Sequence, residues 1–368
     1  MPRDPYIVFA GGGTGGHLFP ALVVAADLAE RHPGASIVFA GSRRGLETRL
    51  VPRAGFPLRT LPISGLAGAS PLRRVVAALA AAAATVRCGL WFVRRRPALL
   101  VGIGGFASGP AALAALLLRV PTMLMEQNHF PGATNRWLAP RAAAVCVPSE
   151  AARGRLGGIG IVTGNPVRPE FAGIGAAPAG ARLSLLAFGG SRGARSINRA
   201  MVEALPRLAA MAPPPAIVHQ TGPDAHAEVS AAYAAKAPEL GAEVRPFLDD
   251  MPARLAAADL VVCRAGATTL SELAAAGRPA ILVPYPHAAD DHQRKNAEAV
   301  AEAGAALVID DAALTGEALA SSVAALAADR SLRDRMGAAA RTLARPDAAE
   351  RIADVADMVL RGEARDVS

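Results

Sequence analysis

Tyr6-Ile7-Val8-Phe9-Ala10-Gly11-Gly12-Gly13-Thr14-Gly15-Gly16-His17-Leu18-Phe19-Pro20 is the stretch from which the fold can be read. Ile7–Ala10 is a short apolar run, the pattern of a strand covered on both faces. It breaks into five glycines before a helical run of Leu, Val and Ala over Leu18–Arg31. Glycines at a strand-to-helix turn let backbone N–H groups approach an anion, and the positive end of the following helix points at the same place. Gly11, Gly13 and Gly16 also meet the G-x-G-x-x-G spacing of dinucleotide-binding proteins. That reading asks for an acid at the end of the second strand, on the ribose 2′-hydroxyl. The second strand is Ser36–Ala40, and Gly41-Ser42 follows it, then Arg43 and Arg44, which suit a 2′-phosphate. An NADP-dependent oxidoreductase is therefore one alternative.

The same device recurs. Gly102-Ile103-Gly104-Gly105-Phe106 follows the apolar run Ala98–Ile103 and precedes a helix at Pro110–Leu118, and Gly189-Gly190-Ser191-Arg192-Gly193-Ala194 follows Leu183–Phe188. Further strands are expected at Thr122–Met125 and Ala144–Val147. In the second half they fall at Ala216–Gln220, Val244–Phe247, Leu260–Cys263, Ala280–Pro284 and Ala306–Ile309, with a helix from about Ser196 to Ala210. Buried strands alternating with helices give parallel sheets covered on both faces. The pattern restarts after Gly164-Asn165-Pro166, so the class is α/β with two Rossmann-like domains, 1–165 and 166–345. The helical tail Ala348–Leu360, within 346–368, is expected to join the first. A chain of 368 residues also favours two domains. Glycine turns in both domains point to polyphosphates on both, which favours transfer between two phosphorylated partners over a single dinucleotide site.

With 52% apolar and 19% charged residues the chain reads as folded and globular. Lysine occurs only at Lys236 and Lys295. The first 165 residues hold 18 arginines and 6 acids, whereas the remainder holds 21 basic and 25 acidic residues. A basic first half suggests an anionic partner, and nucleic acid, phospholipid and a polyphosphate substrate all satisfy that. Cys88, Cys146 and Cys263 supply neither a disulfide framework nor a zinc spacing and fit a reducing, cytoplasmic setting. No basic, apolar and cleavage regions precede the first strand, so no secretory signal is expected. Val75–Val93 is apolar except for Arg87 and is flanked by Arg73, Arg74 and Arg94–Arg96. A mid-segment arginine costs about 2.5–3.5 kcal/mol on insertion. An amphipathic helix packed on the sheet is the first reading, a basic-rimmed patch on an anionic membrane the second, and a span the last.

His17 opens the first long helix; it is a candidate general base or else a cap beside the turn. Cys263–Glu272 runs from strand through turn into helix, with Glu272 able to accept from two ribose hydroxyls or simply to cap. His287, Asp290, Asp291, His292, Gln293 and Asn296 offer mixed donors and acceptors for a sugar, or the types found in a metal site. No D-x-D triplet occurs, which suits neutralisation of a leaving diphosphate by helix ends and arginine rather than by a metal.

In this order, several groups of residues together resemble the MurG family. They are Gly12–His17 with Phe19-Pro20, Gly104-Gly105 with Ser108-Gly109-Pro110, Glu126-Gln127-Asn128, Thr134-Asn135, Gly164–Arg168, Gly189–Ala194, Cys263–Glu272, and His292-Gln293 with Asn296-Ala297. Members are bacterial cell-wall transferases that add N-acetylglucosamine to undecaprenyl-diphospho-muramoyl-pentapeptide. The resemblance implies a GT-B fold, two Rossmann-like domains facing a cleft, and an inverting, metal-independent reaction with UDP-N-acetylglucosamine and no cofactor. It implies His17 as base, with Glu126 contributing. Donor contacts would come from Thr14, Gly15, Gly16, Asn128, Arg168, Ser191, Leu248, Ala267, Thr268, Thr269, Leu270, Ser271, Glu272 and Gln293. Acceptor contacts would come from Gly12, Gly13, Gly104, Gly105, Phe106 and Asn135. It further implies docking on the anionic inner face of the cell membrane, peripherally from the cytoplasm, beside proteins of cell-wall synthesis and division, and no nucleic acid. Three departures stand out: Phe106 where relatives often carry tyrosine, Arg192 where glutamine is common, and Met125 where a histidine often precedes the Glu-Gln-Asn triplet. Another GT-B UDP-sugar enzyme, a lipid glycosyltransferase or an epimerase, is the nearest alternative.

Overall fold

The computed structural model describes residues 4–13, 15–43, 45–63, 71–105, 107–175, 180, 182–288 and 291–363, with only the backbone course at 71–75. The chain divides into two compact units, Met1–Arg168 with Arg345–Ser368, and Pro169–Ala344.

The first unit runs β1 (Tyr6–Ala10), α1 (Gly15–Arg31), β2 (Ser36–Ser42), α2 (Glu47–Arg53), β3 (Leu58–Leu61), α3 (Pro71–Arg94) and β4 (Leu99–Gly102). It continues through α4 (Ser108–Leu117), β5 (Thr122–Met125), α5 (Ala133–Leu138), β6 (Ala144–Val147), α6 (Glu150–Arg155) and β7 (Ile161–Val162). Its sheet has the order β3-β2-β1-β4-β5-β6-β7, every pairing parallel. Alternation along β1 divides the core: Ile7 and Phe9 face one layer, with Leu18, Val24 and Leu28 of α1, while Tyr6, Val8 and Ala10 face the other, with Cys88, Trp91 and Phe92 of α3. β1, β4, β5 and β6 are buried on both faces, which is why they read as unbroken apolar runs rather than alternating ones.

The second unit runs α7 (Pro169–Ala172), β8 (Ser184–Phe188), α8 (Arg195–Ala209), β9 (Ala216–Gln220), α9 (His226–Lys236), β10 (Glu243–Arg245), α10 (Met251–Ala257) and β11 (Leu260–Cys263). Then come α11 (Ala267–Ala276), β12 (Ala280–Leu282), α12 (His292–Glu302), β13 (Ala306–Val308), α13 (Gly316–Ala328) and α14 (Arg330–Thr342). The parallel sheet order is β10-β9-β8-β11-β12-β13. α15 (Ala348–Arg361) returns to the first unit, where Ile352, Val355, Ala356 and Val359 enter the α1 layer of the core. At the end of α1, Arg31 reaches Asp27 and Asp354 at 2.6 Å each, and His32 Nε2 lies 2.7 Å from Asp357.

Several strands are shorter than the apolar runs suggest, although β2 runs on to Ser42. β10 is Glu243–Arg245 rather than Val244–Phe247, because Pro246 has no N–H to donate to the ladder. β12 stops at Leu282, two residues before Pro284. β3, β7 and the short helix α2 were not foreseen: Arg59 and Thr60 are exposed on an edge strand, and β7 is two residues long.

Candidate active site

In each sheet the strand order reverses once, between β1 and β4 in the first unit and between β8 and β11 in the second. Ligands of open α/β sheets bind outside the carboxyl ends of strands at such switch points. The glycine turns stand there for that reason. Parallel register places Ala10 beside Gly102 and Cys263 beside Phe188, so the turns after paired strands emerge side by side.

In the first unit the turns after β1 and β4 touch through their backbones. A Cβ at Gly11 would stand 2.4 Å from Gly104 O, and one at Gly105 would stand 2.6 Å from Gly12 O. Gly11, Gly12 and Gly13 have φ of +144°, +131° and +91°, a region open mainly to glycine. Gly15 and Gly16 form the start of α1, and Thr14 and Phe106 lie outside the described residues. His17, half-buried in the first turn of α1, places its Nδ1 2.7 Å from Gln127 Oε1. An added Cβ at Gly104 would come within 2.9 Å of that Nδ1, so glycine makes room for the ring. Because Gln127 Nε2 is directed at Met125 O, 3.4 Å away, its Oε1 is the end that faces the histidine. Nδ1–H then donates to it, and Nε2 carries the lone pair. Gln127 is 2% exposed and its own carbonyl accepts from Asn165, so the acceptor is held in place.

Glu126, expected to contribute beside His17, is 3% exposed and its carboxylate accepts four hydrogen bonds. Oε1 takes the backbone and side-chain N–H of Asn128 at 2.8 and 3.1 Å, and Oε2 takes Gly132 N and Asn135 Nδ2, both at 2.9 Å. Asn135, expected at the acceptor, is 2% exposed, and its Nδ2 donates to Glu126 Oε2 and Met125 O. Together they shape the loop that presents Asn128. The Gly13 N–H, expected to meet an anion, donates at 2.9 Å to the buried carboxylate of Glu47. Gly12 likewise backs onto that carboxylate. Arg168, which ends the first segment of this unit, lies 4.8 Å over the Phe19 ring.

In the second unit Ser191 and Arg192 are exposed on the turn between β8 and α8. The turn packs on the end of β9, since a Cβ at Gly193 would strike Thr221 O. Gln220, 2% exposed, ties two expected donor contacts together: its Nε2 donates to Gly190 O at 2.9 Å and its Oε1 accepts from Leu248 N at 2.9 Å. The Leu248 N–H is therefore engaged within the protein. Ala267, Thr268 and Thr269 open α11, and their backbone amides precede the helical ladder. Leu270 N–H already donates to Gly266 O, and Ser271 Oγ donates to Ala267 O. Glu272 is 9% exposed beneath them. Gln293 Oε1 accepts from Tyr285 N, which turns its amide end outward from that loop. Among the described residues no three His, Cys, Asp or Glu gather as a metal site, and Asp290 lies outside them.

Sequence reasoning missed Gln127, Gln220 and Arg264. Arg264 hydrogen-bonds Asp311, Ser196 Oγ and the carbonyls of Val283 and Pro284, and so binds the ends of β11, β12 and α8 together. The only early signal for Arg264 and Gln127 was position, each adjoining or within a motif at a strand end.

On the first unit, α3 sets Ala84, Cys88, Trp91 and Phe92 into the core, yet leaves Val76, Leu79, Val86, Leu90 and Val93 between 53% and 70% exposed. Arg59, Arg87, Arg94 and Arg95 line a 410 Å³ groove with Leu90 and Trp91. By length and composition Val76–Arg94 would suffice to cross a membrane; its packed face favours the first sequence reading, a helix lying on the sheet.

Comparison with known proteins accords with this architecture. Residues 7–147 match the glycosyltransferase family 28 N-terminal domain and residues 184–352 its C-terminal domain. A UDP-N-acetylglucosamine–N-acetylmuramyl-(pentapeptide) pyrophosphoryl-undecaprenol N-acetylglucosamine transferase of Syntrophotalea carbinolica is 47% identical over 352 residues, covering 94% of this chain and 96% of its own. One of the same name from an Anaeromyxobacter species is 44% identical over 358 residues, covering 96% and 93%. The crystal structure of Acinetobacter baumannii MurG is 31% identical with a TM-score of 0.76, over 96% of this chain and 99% of that one.

Proposed function

Because the chain belongs to the MurG family, within glycosyltransferase family 28, we propose that it transfers N-acetylglucosamine from UDP-N-acetylglucosamine to undecaprenyl-diphospho-MurNAc-pentapeptide. The acceptor atom is the C4 hydroxyl of the muramoyl sugar, and the anomeric carbon inverts. The product is the disaccharide-pentapeptide lipid from which peptidoglycan is built. The observation that carries this is 47% identity, over 94% of the chain, to a relative bearing that activity as its name.

The second unit takes the donor at its switch point. Amides opening α8 and α11 and the charge of Arg192 and Arg195 oppose the growing charge on UDP as it leaves, as helix ends and guanidinium groups do for diphosphates. Ser191 donates to the same diphosphate, the Leu248 carbonyl reads the base, Glu272 the ribose, and Gln293 the sugar hydroxyls. In the first unit His17 Nε2 accepts the proton of the C4 hydroxyl as its oxygen attacks the anomeric carbon and the bond to UDP breaks. Gln127 keeps the imidazole in the tautomer that can do so. α3 rests its apolar face on the anionic inner surface of the cell membrane, with the arginine groove at the headgroups, so the protein is peripheral on the cytoplasmic side.

A thermal-shift series tests the donor. UDP and UDP-N-acetylglucosamine are expected to raise the melting temperature and NADPH to leave it unchanged. Stabilisation by NADPH alone would return the chain to the oxidoreductases.

A further inference from the structure

The acid that dinucleotide-binding proteins carry at the end of their second strand is absent from Ala40-Gly41-Ser42, yet a carboxylate stands there. Glu47, the first residue of α2, folds back and is 1% exposed. Its Oε1 accepts from Ser42 N at 2.6 Å and Ser42 Oγ at 2.7 Å, and its Oε2 accepts from Gly13 N at 2.9 Å. Three glycines clear the space: a Cβ would lie 2.9 Å from Glu47 Cδ at Gly12, 2.6 Å from Cγ at Gly41 and 1.9 Å from Oε2 at Gly45. The carboxylate thus crosses from β2 to the turn after β1, four residues ahead of His17.

We infer that Glu47 is a positioning residue of the transfer reaction, acting through the Gly11–Gly13 turn. Three successive residues with positive φ have no ladder of their own to hold them, and the β1–β2 pairing ends with Gly11 N on Ala40 O. The bond from Gly13 to Glu47 fixes the far end of that turn. It thereby sets where α1 begins and how its first turn carries His17 between Gly104 and Gln127. The same bond excludes a nucleotide ribose from the end of β2, so the first unit is left to the lipid-linked acceptor.

The inference rests on the proposed transfer, and wild-type turnover is the control that separates the two. Without turnover of UDP-N-acetylglucosamine on the lipid-linked acceptor, the function itself fails. With turnover, Glu47→Gln is compared with wild type, since its amide NH₂ must face the backbone N–H of either Ser42 or Gly13, neither of which can accept. The expected result is a fall in kcat/KM for the acceptor of about tenfold to a hundredfold, the range for losing a hydrogen bond to a charged group. UDP affinity and donor KM stay at wild-type values. An acceptor kcat/KM within twofold of wild type, or an equal loss of donor affinity, would overturn the assignment. Should Glu47→Gln not fold, Glu47→Asp keeps the charge but is one methylene too short to reach Gly13 and Ser42 together. A several-fold acceptor-side loss with unchanged donor KM supports the inference, and wild-type kinetics contradict it.

Discussion

At the residue scale, chemistry divides between two side chains that one sequence motif and one helix start set side by side. His17 has an acceptor on Nδ1 and a lone pair on Nε2, whereas Glu126 has both oxygens filled by four N–H donors. His17→Ala is therefore expected to lower kcat by about 10²–10⁴-fold, the usual worth of a general base, with UDP-N-acetylglucosamine affinity unchanged by calorimetry. An unchanged rate would remove His17 from the mechanism. Glu126→Gln should instead register as lost stability, about 1–3 kcal/mol in urea unfolding, for an amide cannot accept at both ends. A fully stable but inactive Glu126→Gln would restore Glu126 as a base. His17 could be singled out from the sequence as a candidate because it opens a helix directly after a glycine turn. The hydrogen bonds that fill the Glu126 carboxylate were not legible, because Gly132 and Asn135 reach it from the start of α5 and no periodicity encodes that approach.

At the element scale, the parallel strands and long helices were legible because continuous apolar runs and glycine turns both mark a doubly covered sheet. What escaped was short or polar: β3, β7 and α2, and with α2 the carboxylate of Glu47. Pairings of buried polar groups were equally hidden. His219 on β9 is fully buried between Tyr233 Oη at 3.0 Å and Asn198 Oδ1 at 3.1 Å, and burial pushes its pKa down to about 4. A depressed histidine pKa means that the unfolded chain binds the proton first. The neutral ring therefore stabilises the fold in full above about pH 6.5, and that stability is lost as pH falls toward 4. Urea unfolding should show a loss of roughly 3 kcal/mol across that window attributable to this group. His219→Gln should flatten the profile over the same range. A wild-type profile unchanged between pH 6.5 and 4 would contradict the burial of a neutral imidazole there. The thiols are held by the same physics: burial pushes Cys88 up to about 11 and Cys146 up to about 12, which keeps both as unreactive packing groups.

At the scale of the whole molecule, the charge imbalance acquires a location. Arginines of the basic first half gather at Arg59, Arg87, Arg94 and Arg95 around a groove beside the exposed apolar side chains of α3. Leu79→Glu combined with Val86→Glu is expected to cut co-sedimentation with vesicles containing anionic phospholipid at least severalfold, while melting temperature stays put, because both side chains already point to solvent. Binding that survives this change would move the docking face elsewhere. The repeat of one architecture in two units is what first suggested two phosphorylated partners, and membership of the MurG family gives them identities. The direct test is to supply UDP-N-acetylglucosamine labelled in the sugar together with undecaprenyl-diphospho-MurNAc-pentapeptide and to follow label into the lipid fraction. Label entering the lipid as a β-linked disaccharide, dependent on the acceptor's C4 hydroxyl and released with one UDP per transfer, is the predicted result. UDP release without labelled lipid, or transfer to an acceptor lacking that hydroxyl, would contradict it.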